Sequence, residues 1–342
     1  MGKIAFVSFN TGGTLGHLTL LSKMASSLNR VADIHILSEH EYESYSSVSD
    51  PNIKWFKFKE QNHLSSIGGE IKHSSSPEIL GYILQNGIDT TIYSTFFDPD
   101  LIGGLADHNV RNIYVSYPLR DSFSELFFLR EQDCLFDRVI ILGDLYDNDY
   151  PASVTRSRPL FSEQQREENT PSNILLTCGG GGRPSSRQFL DLMKDYIPLI
   201  KQKHNPDILL VTGPNNKGFH MEGVTCVSHA NDMLEQMDSA RLVISEAGYF
   251  STHELISRTR PSILIPGARR IDNQELRAVE YAKRGLGFCF MPEEDISDLV
   301  SRSMELLTDE QQYLVFRENN RRYYNQQNKG NSLGKILMNS LK

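Results

Sequence analysis

The chain has 342 residues, 39% of them hydrophobic and 23% charged, with a formal net charge of −8. That length exceeds one ordinary core and suits two α/β domains, and the composition excludes a disordered or membrane-embedded chain. The acidic balance argues against a dedicated nucleic-acid binder with a basic face, while leaving room for a local positive pocket that takes a phosphate.

The opening MGKIAFVSFN lacks the basic n-region, apolar h-region and small-residue cleavage site of a signal peptide, and reads as a buried strand over residues 4–8. No apolar run approaches the ~18 residues of a membrane span, so a cytoplasmic protein is expected. A glycine turn follows, then a helix over 18–28 with Leu20, Leu21, Met24, Ala25 and Leu28 at helical spacing. Further strands are predicted over 33–37, 53–58, 90–94, 112–116 and 138–142. Between two of them, Ser76-Pro77-Glu78 opens a helix and Asn86-Gly87 closes it. Asp98-Pro99-Asp100 has the look of a metal-binding DxD, but its proline and the helical pattern after it predict a helix N-cap.

Residues 150–173 are polar, contain three prolines and show no sustained apolar period, as a linker does. A second series begins after them, with strands over 174–177, 207–212, 224–227, 241–245, 262–265 and 286–290 and helices over 185–203 and 273–284. The alternation predicts two doubly wound, parallel-sheet α/β domains facing a cleft. The expected division is 1–155 for a first domain, 156–172 for the linker, 173–322 for a second domain, and 323–342 for a C-terminal helix returning to the first domain. The cysteines Cys134, Cys178, Cys226 and Cys289 have no CxxC pairing, which predicts reduced thiols and no zinc site.

Four strand-to-helix turns carry the chemistry. The first, Gly12-Gly13-Thr14-Leu15-Gly16-His17, lets backbone amides approach an anion at a helix start. The second, Gly179-Gly180-Gly181-Gly182-Arg183, repeats the device and adds a cation for a phosphate oxygen. A flexible loop is the plain alternative. The third, Ser245-Glu246-Ala247-Gly248, precedes Glu254, whose carboxylate can accept from both hydroxyls of a ribose diol or simply complement a helix dipole. The fourth puts Asp272, Asn273 and Gln274 at the mouth of the cleft, as ligand contacts or as caps.

GGTLGH, the second glycine loop, SEAGYFSTHEL, SILIP and PGARRIDNQELRAVEYAKRG occur in an order that resembles the peptidoglycan N-acetylglucosaminyltransferases that form lipid II. The resemblance covers nearly the whole chain and implies a family 28-like GT-B fold of two Rossmann-like domains. It implies a hexosyltransferase using a UDP-sugar as co-substrate, with no cofactor and no metal. Carried onto this chain, it places Gly12, Gly13, Gly16 and His17 at the turn facing acceptor and donor phosphate. Gly180, Gly181 and Gly182 fall near the diphosphate, Gly248 on the family's Ala-Gly pair, Glu254 on the ribose, and Asn273 and Gln274 on the donor sugar. His17 is the expected base of an inverting reaction.

Three departures stand against it. The family's His-Glu-Gln-Asn element is here Ser116-Tyr117-Pro118-Leu119. The first domain lacks an apolar loop flanked by basic residues, so docking to a lipid surface is not supported. Glu246 and Glu254 also give the E-x7-E spacing of retaining GT-B enzymes, which makes Glu246 an alternative catalytic acid. The expected partners are a nucleotide-sugar and a small-molecule or glycan acceptor, from cell-envelope or natural-product biosynthesis. A nucleotide-sugar hydrolase or epimerase of the same fold and a non-catalytic binding subunit stay open as alternatives.

Overall fold

The computed structural model describes residues 2–9, 16–39, 53–59, 76–94, 97–120, 135–161, 173–181, 183–216, 218–230, 232–269 and 271–341. Its first sheet comprises β1 (Gly2–Ser8), β2 (Ala32–Ser38), β3 (Ile53–Lys57), β4 (Thr90–Ser94), β5 (Arg111–Ser116), β6 (Arg138–Leu142) and β7 (Thr155–Ser157). The strands run in the order β3-β2-β1-β4-β5-β6-β7, each parallel to its neighbour. The second sheet comprises β8 (Asn173–Thr177), β9 (Ile208–Val211), β10 (Thr225–Val227), β11 (Ala240–Glu246), β12 (Ser262–Ile265) and β13 (Phe288–Cys289). Its order is β10-β9-β8-β11-β12-β13, again parallel. In each sheet the order reverses beside the first strand, β1 or β8, and the turn after that strand is one of the two glycine loops. Such a reversal opens the crevice in which α/β proteins bind ligands.

Helices cover both faces of each sheet, which explains why the strands are apolar without alternating with polar residues. In β1, Ile4 and Phe6 pack with α1 (Gly16–Leu28), through Leu20, Leu21 and Met24. Ala5 and Val7 face the opposite side, where α2 (Ser76–Gln85) and α3 (Pro99–Asp107) contribute Ile79, Ile83, Leu101 and Leu105. Asp98 caps α3 by accepting from the Asp100 amide at 3.0 Å, as its sequence context predicts. In the second sheet Leu176 and Ile244 pack with α4 (Pro184–Lys203) and α8 (Ile296–Thr308), while Leu175 and Val243 meet α6 (Tyr249–Ser257) and α7 (Gln274–Lys283). The short α5 (Met233–Ser239) leads into β11.

The boundaries differ from the sequence reading at two places. β7 pairs with β6 at residues 155–157, so the first sheet continues into the segment read as linker. Three residues are too few for a period to be legible. The helix α9 (Glu310–Gln327) runs past residue 323, because no glycine or proline interrupts it before Gly330. The last helix, α10 (Leu333–Ser340), lies against the first domain, with Leu333, Ile336 and Leu337 in one buried cluster with Leu20, Leu21 and Ala25 of α1. Among the described residues no helix is long and apolar enough to cross a membrane.

Candidate functional site: the strand ends of the second domain

The second glycine loop and the head of α4 form the centre of the site. Gly179 and Gly181 both hold left-handed backbone, with φ of 66° and 69°. A Cβ on Gly181 would lie 2.5 Å from Asn216 Nδ2, and one on Gly213 (φ 83°) would lie 2.5 Å from the Gly181 nitrogen. Glycine is therefore required in part by packing between this loop and residues 212–216, beyond any need to admit a ligand. Gly182 lies outside the described residues. Arg183 is the N-cap of α4 but makes no side-chain cap, and Pro184 follows at the first helical position. Pro184 has no N–H and the Ser186 amide donates to the Arg183 carbonyl at 3.0 Å, so this head offers an anion the helix dipole more than a set of amides.

Glu246 ends β11 almost buried, at 5% exposure, and its Oε2 accepts from Arg269 Nη2 at 2.6 Å. Burial raises the Glu246 pKa, against the pull of Arg269 and of the Ser185 hydroxyl. The reach needs Gly267, where a Cβ would come within 2.9 Å of Ser185 Cβ and 3.0 Å of Glu246 Oε1. Arg269 Nη1 is buried without a hydrogen-bond partner among the described residues. Arg183 lies close enough to feel it: burial, then the Arg269 charge, lower the Arg183 pKa, while Tyr117, Glu246 and Asp272 oppose them. Arg183 thus sits at the head of α4 as its N-cap, and Arg269, paired with Glu246 beside Gly267 and Ser185, lies near the same end of the helix. The arrangement suits an anion.

Asn273 and Gln274 are committed to local structure. Asn273 Oδ1 caps α7 by accepting from the Leu276 amide at 3.2 Å. Gln274, 3% exposed, accepts from the Gly267 amide at 2.9 Å and donates to Asp272 Oδ2 at 3.2 Å. Gly248, the N-cap of α6, leaves ordinary space, with Gln274 Nε2 3.9 Å from a hypothetical Cβ. So Gly180, Gly181, Arg183, Glu246, Gly248, Asn273 and Gln274 gather at the strand ends of the second sheet.

Glu254 stands apart from them. Its Oε1 lies 2.9 Å from Nζ of Lys23, a residue of α1 in the first domain. Gly16 and His17 open α1, Gly13 lies outside the described residues, and so does the side chain of His17. The carboxylates of the E-x7-E pair therefore have different cationic partners, Arg269 for Glu246 and Lys23 for Glu254.

Between the domains lies a network the sequence did not disclose. Asp144, just after β6, and Arg277 of α7 are both fully buried, with Asp144 Oδ2 2.7 Å from Arg277 Nη2 and 2.9 Å from Nε. His253 Nε2 lies 3.2 Å from Asp144 Oδ1, and Arg277 Nη1 lies 2.7 Å from Asp272 Oδ1. Burial pushes the Asp144 carboxyl up, but Arg277 and His253 outweigh it and bring it down to about 2. The hydroxyl of Tyr249 accepts from the Leu160 amide at 3.1 Å and donates to the Gly143 carbonyl at 2.9 Å. Its ring stacks on Tyr117 with centroids 5.4 Å apart. The segment that replaces the family's His-Glu-Gln-Asn element thus ties the domains together: Leu119 bridges to Asp272, and the Arg120 amide donates to the Ile271 carbonyl at 2.8 Å.

Comparison with known proteins bears on the family and the fold. Residues 174–331 match the glycosyltransferase family 28 C-terminal domain. The UDP-N-acetylglucosamine–N-acetylmuramyl-(pentapeptide) pyrophosphoryl-undecaprenol N-acetylglucosamine transferase of Thermosipho melanesiensis is 24% identical over 223 residues. That match covers 60% of this chain and 65% of the relative, just under two thirds of its length. Spinosyn forosaminyltransferase SpnP superposes with a TM-score of 0.73 at 11% identity, covering 99% of this chain and 98% of its own. The fold is GT-B. Spinosyn rhamnosyltransferase SpnG complexed with thymidine diphosphate shares it, with a TM-score of 0.68 at 12% identity over 99% of each chain. The resemblance to family 28-like GT-B enzymes that the motifs indicate therefore holds in both sequence and fold, and within this GT-B frame the arginine pair sits at the strand ends of the domain matched by the family.

Proposed function

We propose that this chain is a glycosyltransferase that moves a hexose from a nucleoside diphosphate sugar to a hydroxyl or amine acceptor. The observation that carries the reading is the placement of Arg183, the N-cap of α4, and of Arg269, paired with Glu246 beside Ser185, at the same helix head next to a glycine loop, with Arg269 Nη1 unpaired among the described residues. A diphosphate seated there would relieve the mutual repulsion of the two guanidinium groups and meet the positive end of the α4 dipole. As the bond to the anomeric carbon breaks, the same groups would stabilise the charge that develops on the leaving diphosphate. Glu254 would hold the ribose, and the NH₂ of Asn273 would be its group left for the sugar, since its oxygen is committed to the cap.

The acceptor proton would go to His17 at the start of α1, in an inverting displacement without metal. Glu246 is poorly suited to the alternative retaining role, being almost buried and ion-paired with Arg269. The Thermosipho relative is named for a UDP-sugar and SpnG is complexed with thymidine diphosphate, so the base is the open choice in the donor.

Release of UDP or thymidine diphosphate from their sugar donors, measured with and without a panel of acceptors, tests the reading. Acceptor-dependent release is expected. Acceptor-independent release would indicate a hydrolase, and donor binding without any turnover a non-catalytic subunit.

A further inference from the structure

We propose that Lys23 is a latch on the donor site, competing with a ribose hydroxyl for the carboxylate of Glu254. The proposal rests on the reading of Glu254 as the ribose acceptor. Lys23 lies in α1 and Glu254 in α6, 231 residues later and in the other domain, yet Nζ and Oε1 are 2.9 Å apart. The ammonium also sits 5.3 Å from the centroid of Phe250, one helical turn before Glu254 on the same face of α6. Phe250 in turn packs against the first-domain core. Lys23 is thus held by two groups of α6, and its partner Glu254 is mostly buried, at 16% exposure.

An ammonium and a ribose hydroxyl are both donors, and each needs the carboxylate lone pairs. Lys23, a first-domain residue, already engages Oε1. Binding of a ribose diol across both carboxylate oxygens therefore displaces Lys23 and exchanges a charged donor for neutral ones. Lys23 acts through Glu254 and sets donor affinity; it is a positioning residue rather than a catalytic one.

The test is calorimetric titration of UDP, or thymidine diphosphate if that is the nucleotide bound, into wild type, Lys23→Met, Glu254→Ala and the double variant. Methionine keeps the apolar stem over Phe250, so a folding defect is not expected. Glu254→Ala should weaken binding at least tenfold, whereas Lys23→Met should tighten it about threefold, the scale of a partly exposed ion pair. The double variant should match Glu254→Ala alone, because the competitor matters only while its carboxylate is present. The advantage of Lys23→Met should shrink as salt rises from 50 to 500 mM (roughly 14 to 4 Å of Debye length), which a packing effect would not do. Equal or weaker binding by Lys23→Met, with Glu254→Ala still impaired, overturns the latch and leaves the ribose reading standing. Unchanged binding by Glu254→Ala removes the ribose reading, and the latch with it.

Discussion

Asp144 and Arg277, 133 residues apart in the chain, meet as a fully buried two-point pair across the domain seam, with contacts of 2.7 and 2.9 Å. Arg277 also reaches the Ala247 carbonyl at 2.9 Å, so one side chain joins the end of the first sheet to the turn after β11 in the second domain. Domain orientation is therefore fixed by a buried charge pair as well as by apolar packing.

Breaking that pair leaves a charge without compensation. Asp144→Ala should cost about 3–5 kcal/mol of stability, the scale for truncating one member of a buried pair. Denaturant unfolding of wild type and variant would measure it; a loss under 1 kcal/mol would show that the seam does not depend on the pair.

The same network sets an acid limit. The Asp144 carboxyl is lowered to about 2 by Arg277 and His253 in spite of burial, so its contribution is complete above about pH 4 and disappears as pH falls towards 2. Burial lowers the His253 pKa as well, so protonation of this histidine in the unfolded chain favours unfolding as pH drops below about 6.5. Both act in one direction. Wild-type stability should decline from about pH 6.5 downward in two phases, and Asp144→Asn should lack the lower one. An identical acid profile for the two proteins would contradict the assignment.

His17→Ala and Glu246→Gln separate the mechanisms. In the inverting account the first loses ~10²-fold or more in kcat at saturating donor, the second retains most activity, and NMR shows an inverted anomer. A retained anomer, with Glu246→Gln inactive, would replace that mechanism while leaving fold and donor site intact.

If Arg183, Arg269 and the α4 dipole hold the diphosphate as proposed, transfer should continue after exhaustive treatment with chelator. Activity abolished by chelation and restored by Mg²⁺ or Mn²⁺ would contradict this account of the leaving group.

Gly213 supports the glycine loop from behind. An added Cβ would lie 2.5 Å from the Gly180 carbonyl carbon, at a φ of 83°. Gly213→Ala should weaken diphosphate binding more than tenfold by shifting the loop, with secondary structure by circular dichroism unchanged. Wild-type affinity in this variant would mean that the loop is not part of the donor seat.

What the sequence discloses here is local. Periodicity and glycine turns locate the strands from β1 to β13 except β7, which is three residues long in a polar stretch and offers no alternation to read. Gly180, Gly181, Arg183, Gly248 and Gln274 are legible because each follows a strand end, where topology fixes the cleft. The partners of those residues are not legible. Lys23 looks like any lysine on a solvated helix face, and Asp144 like any loop acid, until the fold brings Glu254 and Arg277 to them. Arg269 follows the β12 strand end in Pro266-Gly267-Ala268-Arg269, but only the buried approach past Gly267 shows that it pairs with Glu246. The capping role of Asn273 was visible as one of two readings, and the structure adds that its oxygen is already engaged.

The central claim is that the head of α4 seats the diphosphate of a sugar donor. Titrating UDP and uridine, or the thymidine pair if that nucleotide is the one bound, into wild type and Arg183→Met tests it most directly. A charge-assisted contact is worth about 1.5–3 kcal/mol, so UDP affinity should fall at least tenfold while the nucleoside affinity stays unchanged. Unchanged UDP affinity, or an equal fall for both ligands, would contradict the assignment.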